Sequence, residues 1–266
     1  MNIFSLTLLL AVNAAVFQLL HLDADMSHCC KVDIRELTIQ AAHKLLMNGT
    51  LSSASLTKCY IRRIRAMNPQ LRAVIEINPD ALTIAQGLDD YFKVHRRLAG
   101  TLHGVPILVK DNIATGDNMN TTAGSWALLG AKPKDDAKVI KQLRKAGAIN
   151  LGKANLSELS GYLRLNQLTF SFLSFKAQPG WSSRGGQTKN PYRLRQTPGG
   201  SSSGSAVAVA ANLALVALGT DTDGSVINPA AAASTVGFRP SIGKISNKGI
   251  IPLSQNQDSV NSPSYA

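Results

Sequence analysis

The sequence predicts an α/β fold around a largely buried sheet, and three observations carry that expectation. Short apolar runs such as "RAVIEI", "GVPILVK", "AINLGK" and "LVALG" alternate with longer stretches of helical periodicity, as strands alternate with helices in such folds. Of the 266 residues, 44% are hydrophobic and only 5% aromatic, enough to bury a core as one large domain or two small ones. Gly/Ser corners punctuate the element ends, above all in "GGSSSGSAVAVAANLALVALGTDTDGS", residues 199–225. The chain contains no internal repeat.

Taken in order, "MNIFSLTLLLAVNAAVFQLLHLDA" (residues 1–24) is apolar from Ile3 onward, broken only by polar residues such as Asn13 and Gln18. Its length suits a signal peptide or a membrane anchor, although it lacks a basic leading segment. The expected location is therefore the secretory pathway or the cell exterior. Three glycosylation triplets, at Asn48-Gly49-Thr50, Asn120-Thr121-Thr122 and Asn155-Leu156-Ser157, are compatible with that route. Over 33–47, Leu37, Ala41 and Leu45 recur at helical spacing until Asn48-Gly49 ends the run. A second helix is expected from Ser53 or Ser55 through Leu56, Tyr60, Ile64 and Met67 to Pro69. "RAVIEI", "GVPILVK" and "AINLGK" then read as strands, with helices at "DALTIAQGLDDYFKVHRRL" and "DDAKVIKQLRKAG".

Charge and cysteine content narrow the function classes. There are 28 Lys and Arg against 16 Asp and Glu, a net +12, which could indicate nucleic acid or an anionic membrane as partner. The basic residues are scattered, with carboxylates between several of them and no alternating aromatic platforms, so a solvated surface is favoured and no nucleic-acid partner is expected. Cys29, Cys30 and Cys59 have no C-x-x-C spacing and no paired histidines. A zinc site or a disulfide framework is accordingly not expected.

The two serine corners have a geometry of their own. After Ser203 the small apolar run makes a helix of roughly 15 Å and "LVALG" a strand of roughly 16 Å. The chain goes out and returns, so Ser201 at the helix entrance and Ser225 beyond the strand exit can meet at one end of the sheet, where open α/β folds place their sites. The glycines permit tight turns, and "TDTDGS" offers backbone N–H groups to a developing oxyanion. A Gly/Ser linker followed by an ordinary turn is the bland alternative, favoured if the serines stood alone. A phosphate loop fits less well, since the lysine of G-x-x-x-x-G-K-[S/T] is absent. Lys110 closes the apolar strand in "HGVPILVKDN". Buried there it would lose its proton readily and act as a base; a solvated lysine is the ordinary alternative.

These segments, with "TTAGSWAL", "LRKAGAINLGKANLSEL", "GWSSRGGQTKNPY" and "VGFRPSIGKISNKGIIPLS", run in the order seen in amidase signature enzymes over roughly residues 33–260. The chain resembles that family. The resemblance implies an α/β amidase-signature fold, a mixed central sheet covered by helices on both faces. It also implies amide hydrolysis through a Ser-cisSer-Lys triad and an acyl-enzyme, releasing a carboxylate and ammonia or an amine. By position, Ser225 resembles the nucleophile, Ser201 the bridging serine in a cis peptide, and Lys110 the base. The N–H groups of Thr222, Asp223, Gly224 and Ser225 would line the oxyanion hole, and no metal or organic cofactor is implied. His103, in the turn before the strand, is expected to be structural.

Departures from the pattern carry further expectations. Many members read Gly-Gly-Ser-Ile-Arg at the nucleophile, whereas here the run is Asp223-Gly224-Ser225-Val226-Ile227, without the arginine. This resembles the peptide-amidase and plant-amidase branch, so a peptide-like or small carboxamide is the expected substrate, and membrane contact is expected only through an uncleaved amino end. The apolar segment at 163–176 looks longer than the family's: a specificity loop, a lipid-facing element or a mis-spliced insert. Members also continue far beyond "IPLSQNQDSV", so residues 33–266 are expected to form a partial, C-terminally incomplete amidase domain. The alternative is a truncated non-catalytic paralogue serving as a binding protein, or an incomplete gene model.

Overall fold

The computed structural model describes residues 28–29, 32–35, 37–161 and 178–264. The apolar leader and the segment at 163–176 lie outside the described residues, and among the described residues no helix is long and apolar enough to cross a membrane.

Helix α1, Ile39–Met47, starts later than its apolar spacing suggests because Thr38 caps it, its side chain accepting from the Ala41 N–H at 3.1 Å. Val32–Asp33 instead pairs antiparallel with His28–Cys29. Helix α2, Ser53–Leu71, opens on a capping box between Ser52 and Ser55. Its buried Leu56, Tyr60, Ile64, Met67 and Leu71 recur three and four apart along one face. It runs two residues past Pro69, because a proline in the last turn removes one helical N–H while Leu71 gains full burial.

Strand β1, Val74–Ile77, leads to α3, Ala81–His95, whose Asp89 accepts from the Ser53 and Ala54 N–H groups at 2.7 and 3.0 Å and so caps α2 from outside. Strands β2, Pro106–Lys110, and β3, Ile149–Ala154, flank α4, Lys138–Lys145, and every residue of both strands is buried. Helix α5, Ser203–Ala210, is buried along its whole length, which accounts for its small side chains and lack of a polar face. A Cβ on Gly204 would lie 2.3 Å from the Ala73 carbonyl oxygen, so no larger residue fits there.

Strand β4, Val216–Asp221, then α6, Ile227–Ala232, β5, Val236–Phe238, and β6, Ser259–Ser264, complete a six-stranded sheet in the order β1-β3-β2-β4-β6-β5. The centre, β3, β2 and β4, is parallel, and β1, β6 and β5 join antiparallel. The fold is therefore mixed α/β, as expected.

Cys59 is buried and disulfide-bonded, a single bridge that the expectation about frameworks does not address. Spacing rules address metal motifs and multi-bridge frameworks; a lone bridge between distant cysteines leaves no such signature.

Candidate active site

Parallel pairing of β2 with β4 sets the Lys110 end of one strand beside the Thr220-Asp221 end of the other. The entrance of α5 closes the same corner through its serines. Ser202 Oγ donates to the Thr220 carbonyl at 3.1 Å and accepts from its N–H at 3.3 Å. Ser203 Oγ returns to the Gly199 carbonyl at 2.6 Å, and Ser205 Oγ reaches the Leu218 carbonyl at 2.8 Å. All are buried, so the serine run is packed structure and not a linker. The Gly200–Ser201 peptide bond is cis.

Lys110 is fully buried, with Nζ 2.7 Å from Ser201 Oγ, 2.9 Å from Thr220 Oγ1 and 3.3 Å from the Thr220 carbonyl oxygen. Burial pulls its pKa down to about 7, against the opposing pull of the Asp221 and Asp258 charges. A neutral amine has two N–H groups and one lone pair. Thr220 can take both N–H groups, which leaves the lone pair for the Ser201 hydroxyl. Asn112 Nδ2 donates to Thr220 Oγ1 at 2.9 Å and fixes that acceptor.

Ser225 lies one turn beyond β4. Its carbonyl accepts from the Ser202 N–H at 2.9 Å, joining the two corners through their backbones. Its Oγ has no hydrogen-bond partner among the described residues. The turn is shaped by Asp221, whose fully buried carboxylate accepts from the N–H groups of Gly224 at 2.7 Å and Val226 at 2.8 Å. Gly224 has φ +121°, a conformation that side-chain-bearing residues rarely adopt.

Of the four N–H groups expected to face an oxyanion, that of Gly224 is engaged by Asp221. Those of Thr222, Asp223 and Ser225 make no hydrogen bond among the described residues. His103 stands apart: its Nδ1 accepts from the Ala99 N–H at 3.0 Å in the turn before β2, and burial lowers its pKa.

Three supporting residues escaped the sequence reading. Thr220 and Asp221 carried a readable signal, a Thr-Asp pair just ahead of a Gly-Ser turn, since a short acid commonly accepts from N–H groups a few residues on. Arg239 carried none. It lies 3.2 Å from Asp221 and donates to the carbonyls of Thr222 at 3.2 Å and Gln257 at 2.9 Å. It thus brings a guanidinium to a site whose own segment has Ile227 in place of the family's arginine. Among the described residues no cluster of three or more His, Cys, Asp or Glu could hold a metal ion.

A family model described as Amidase matches residues 55–262. The chain belongs to the amidase family. Its relatives include a Schizosaccharomyces pombe protein that carries an amidase name, 45% identical over 88% of this chain and 38% of that protein. A probable amidase of Arabidopsis thaliana is 48% identical over 85% of this chain and 43% of its own length. Among solved structures, the peptide amidase of Stenotrophomonas maltophilia superposes with a TM-score of 0.78 at 48% identity, covering 86% of this chain and 45% of that one. This amidase-family chain therefore spans about two-fifths of the length of the relatives it matches.

Proposed function

We propose that this chain carries the reacting groups of an amide hydrolase, with Ser225 as nucleophile, Ser201 as relay and Lys110 as base. The observation behind the reading is the 2.7 Å contact of buried Lys110 Nζ with Ser201 Oγ, in a corner whose backbone is bonded to that of Ser225. Neutral Lys110 takes the Ser201 proton while Ser201 takes that of Ser225, whose Oγ bonds to the amide carbonyl carbon. The carbonyl oxygen becomes an oxyanion facing the unengaged N–H groups of Thr222, Asp223 and Ser225. Collapse breaks the C–N bond, the departing nitrogen takes the proton back through Ser201, and an acyl-Ser225 ester remains. Water, deprotonated along the same route, releases the carboxylate and restores Ser225.

The proposed substrate is a peptide-like or small carboxamide. The similarity to a peptide amidase and the Asp-Gly-Ser run followed by Val226 and Ile227 support it. The proposed location is the secretory pathway or beyond, supported by the apolar amino end and by the Cys59 disulfide, since disulfides persist in oxidising compartments. The test of the catalytic reading is a fluorophosphonate probe followed by mapping of the labelled residue. Ser225 is the expected site; no label on folded protein, or label that survives Ser225→Ala unchanged, contradicts it.

A further inference from the structure

Three Asn-x-Ser/Thr triplets occur in the described chain, and the fold places them in different surroundings. Asn155 is fully buried in β3's exit, where Nδ2 donates to the carbonyls of Arg72 and Gly186 at 2.9 and 3.1 Å and to Thr188 Oγ1 at 3.0 Å. Its partner hydroxyl, Ser157 Oγ, accepts from the Gly180 N–H at 2.9 Å. Asn120 is half-buried, with Nδ2 3.2 Å from the Glu76 carboxylate and Oδ1 accepting from the Gly130 N–H at 3.0 Å. Thr122, the third residue of that triplet, is buried with Oγ1 2.5 Å from Asp111. A saccharide on either nitrogen would displace these bonds, and at Asn155 it would need room inside the core.

Asn48 differs in its exposure and in its amide nitrogen. It follows the last residue of α1 at the surface, and Gly49, Thr50 and Asn48 itself are all exposed. Its Oδ1 accepts from the Thr50 N–H at 3.0 Å, which brings the carboxamide and the Thr50 residue together. Neither Asn48 Nδ2 nor Thr50 Oγ1 has a hydrogen-bond partner among the described residues. Gly49 has open space around the position of a Cβ, so the middle of the triplet presents no bulk to an approaching enzyme.

We propose that Asn48 is an N-glycosylation site and that Asn120 and Asn155 are not. The proposal rests on the secretory location given above, which the disulfide at Cys59 supports independently of the leader. The donor is a lipid-pyrophosphate-linked oligosaccharide. A bond forms between Asn48 Nδ2 and the anomeric carbon of the first sugar, the bond from that carbon to the pyrophosphate oxygen breaks, and the amide proton goes to solvent as the lipid pyrophosphate leaves. The product is a bulky, hydrated group on the surface at the end of α1.

The test expresses the whole chain in eukaryotic cells behind a cleavable foreign leader, so that entry into the lumen does not depend on its own amino end. Both the luminal pool and the medium are treated with peptide N-glycosidase in heavy-oxygen water, and the converted asparagines are mapped by mass spectrometry. One conversion is expected, at Asn48. It should vanish in Asn48→Gln and in Thr50→Ala and persist in Thr50→Ser. Unconverted Asn48 in luminal protein, or conversion at Asn120 or Asn155, overturns the proposal. A second arm keeps the chain's own amino end. Glycan with the foreign leader but none with the native one refutes the secretory location and leaves the assignment of Asn48 standing.

Discussion

Lys110 and Lys153 sit near the ends of neighbouring parallel strands, and the register sends them to opposite faces of the sheet. Val109 pairs with Lys153 and Lys110 with Ala154, so the two lysines alternate in facing. Both are fully buried, and burial lowers both, Lys110 to about 7 and Lys153 to about 8. Their company differs. Lys110 meets hydroxyls and a carbonyl, and one of those hydroxyls, Ser201, belongs to the corner bonded to Ser225. Lys153 donates to the Ile113 carbonyl at 2.7 Å and to Thr121 Oγ1 at 2.9 Å. Around it, Asp111, Asp117 and Glu76 oppose the loss of its charge, and Arg184 pairs with Glu76 at 2.7 Å. Burial is common to both; only Lys110 is hydrogen-bonded to the corner that holds Ser225, and that link is the ground for proposing it as the base.

The largest expected effects separate the two lysines by labelling. With a fluorophosphonate probe, Ser225→Ala should lose all label, and Lys110→Met should slow labelling by about 10²–10⁴-fold, the usual worth of a positioned base, while keeping its circular dichroism. Lys153→Met should keep the labelling rate per folded molecule. If both lysine variants slow labelling equally at full folding, the distinction between the faces collapses.

Stability should separate them in the opposite sense. Lys153→Met leaves the Ile113 carbonyl and Thr121 Oγ1 without their buried donor, a loss on the order of 1–3 kcal/mol, readable as a fall in the urea midpoint. Lys110→Met should cost less, because the Thr220 carbonyl keeps the Ser202 hydroxyl and Thr220 Oγ1 keeps Asn112 Nδ2 as donors. The supporting shell comes next in size. Arg239→Gln takes the guanidinium from Asp221 and loosens the turn that presents Ser225, and displacement by about 1 Å costs around 100-fold in rate. The unpaired Asp221 charge should also raise the labelling pH midpoint, a shift that a purely structural arginine would not produce.

A further contrast is the pH dependence of stability. Both lysines have folded values below their ordinary 10.5, so between those values the unfolded chain binds more protons and stability rises with pH. The penalty is complete below about 7 and relieved as pH passes through about 7 and 8 toward 10.5. Each lysine adds a slope of about 1.4 kcal/mol per pH unit within its window. Urea titrations from pH 6 to 9 measure it, and Lys110→Met and Lys153→Met should each flatten the curve.

The same two lysines mark how far the sequence could be read. "GVPILVK" and "AINLGK" carry one pattern, an apolar strand ending in lysine, and both strands were legible from it. Only the serine corners distinguished Lys110; the carboxylates around Lys153 come from residues 76, 111 and 117, and nothing local joins them to it. Helix α5 and strand β4 were legible because small apolar residues between Gly/Ser corners leave few alternatives. Strand β6, "SVNSPS", was not, since a polar, proline-containing run owes its strand conformation to pairing with β4 and β5. Arg239 was illegible for the same reason: its contact with Asp221 crosses 18 positions and depends on how the loops after α6 return.

The most direct measurement is the rate of Ser225 labelling as a function of pH in the unmodified chain. A neutral Lys110 requires the rate to rise with the loss of a single proton and to level off above a midpoint near 7, the value burial imposes on this lysine, with that step absent from Lys110→Met. A midpoint near the ordinary lysine value, or a step at 7 that persists in Lys110→Met, would contradict the assignment of Lys110 as the base.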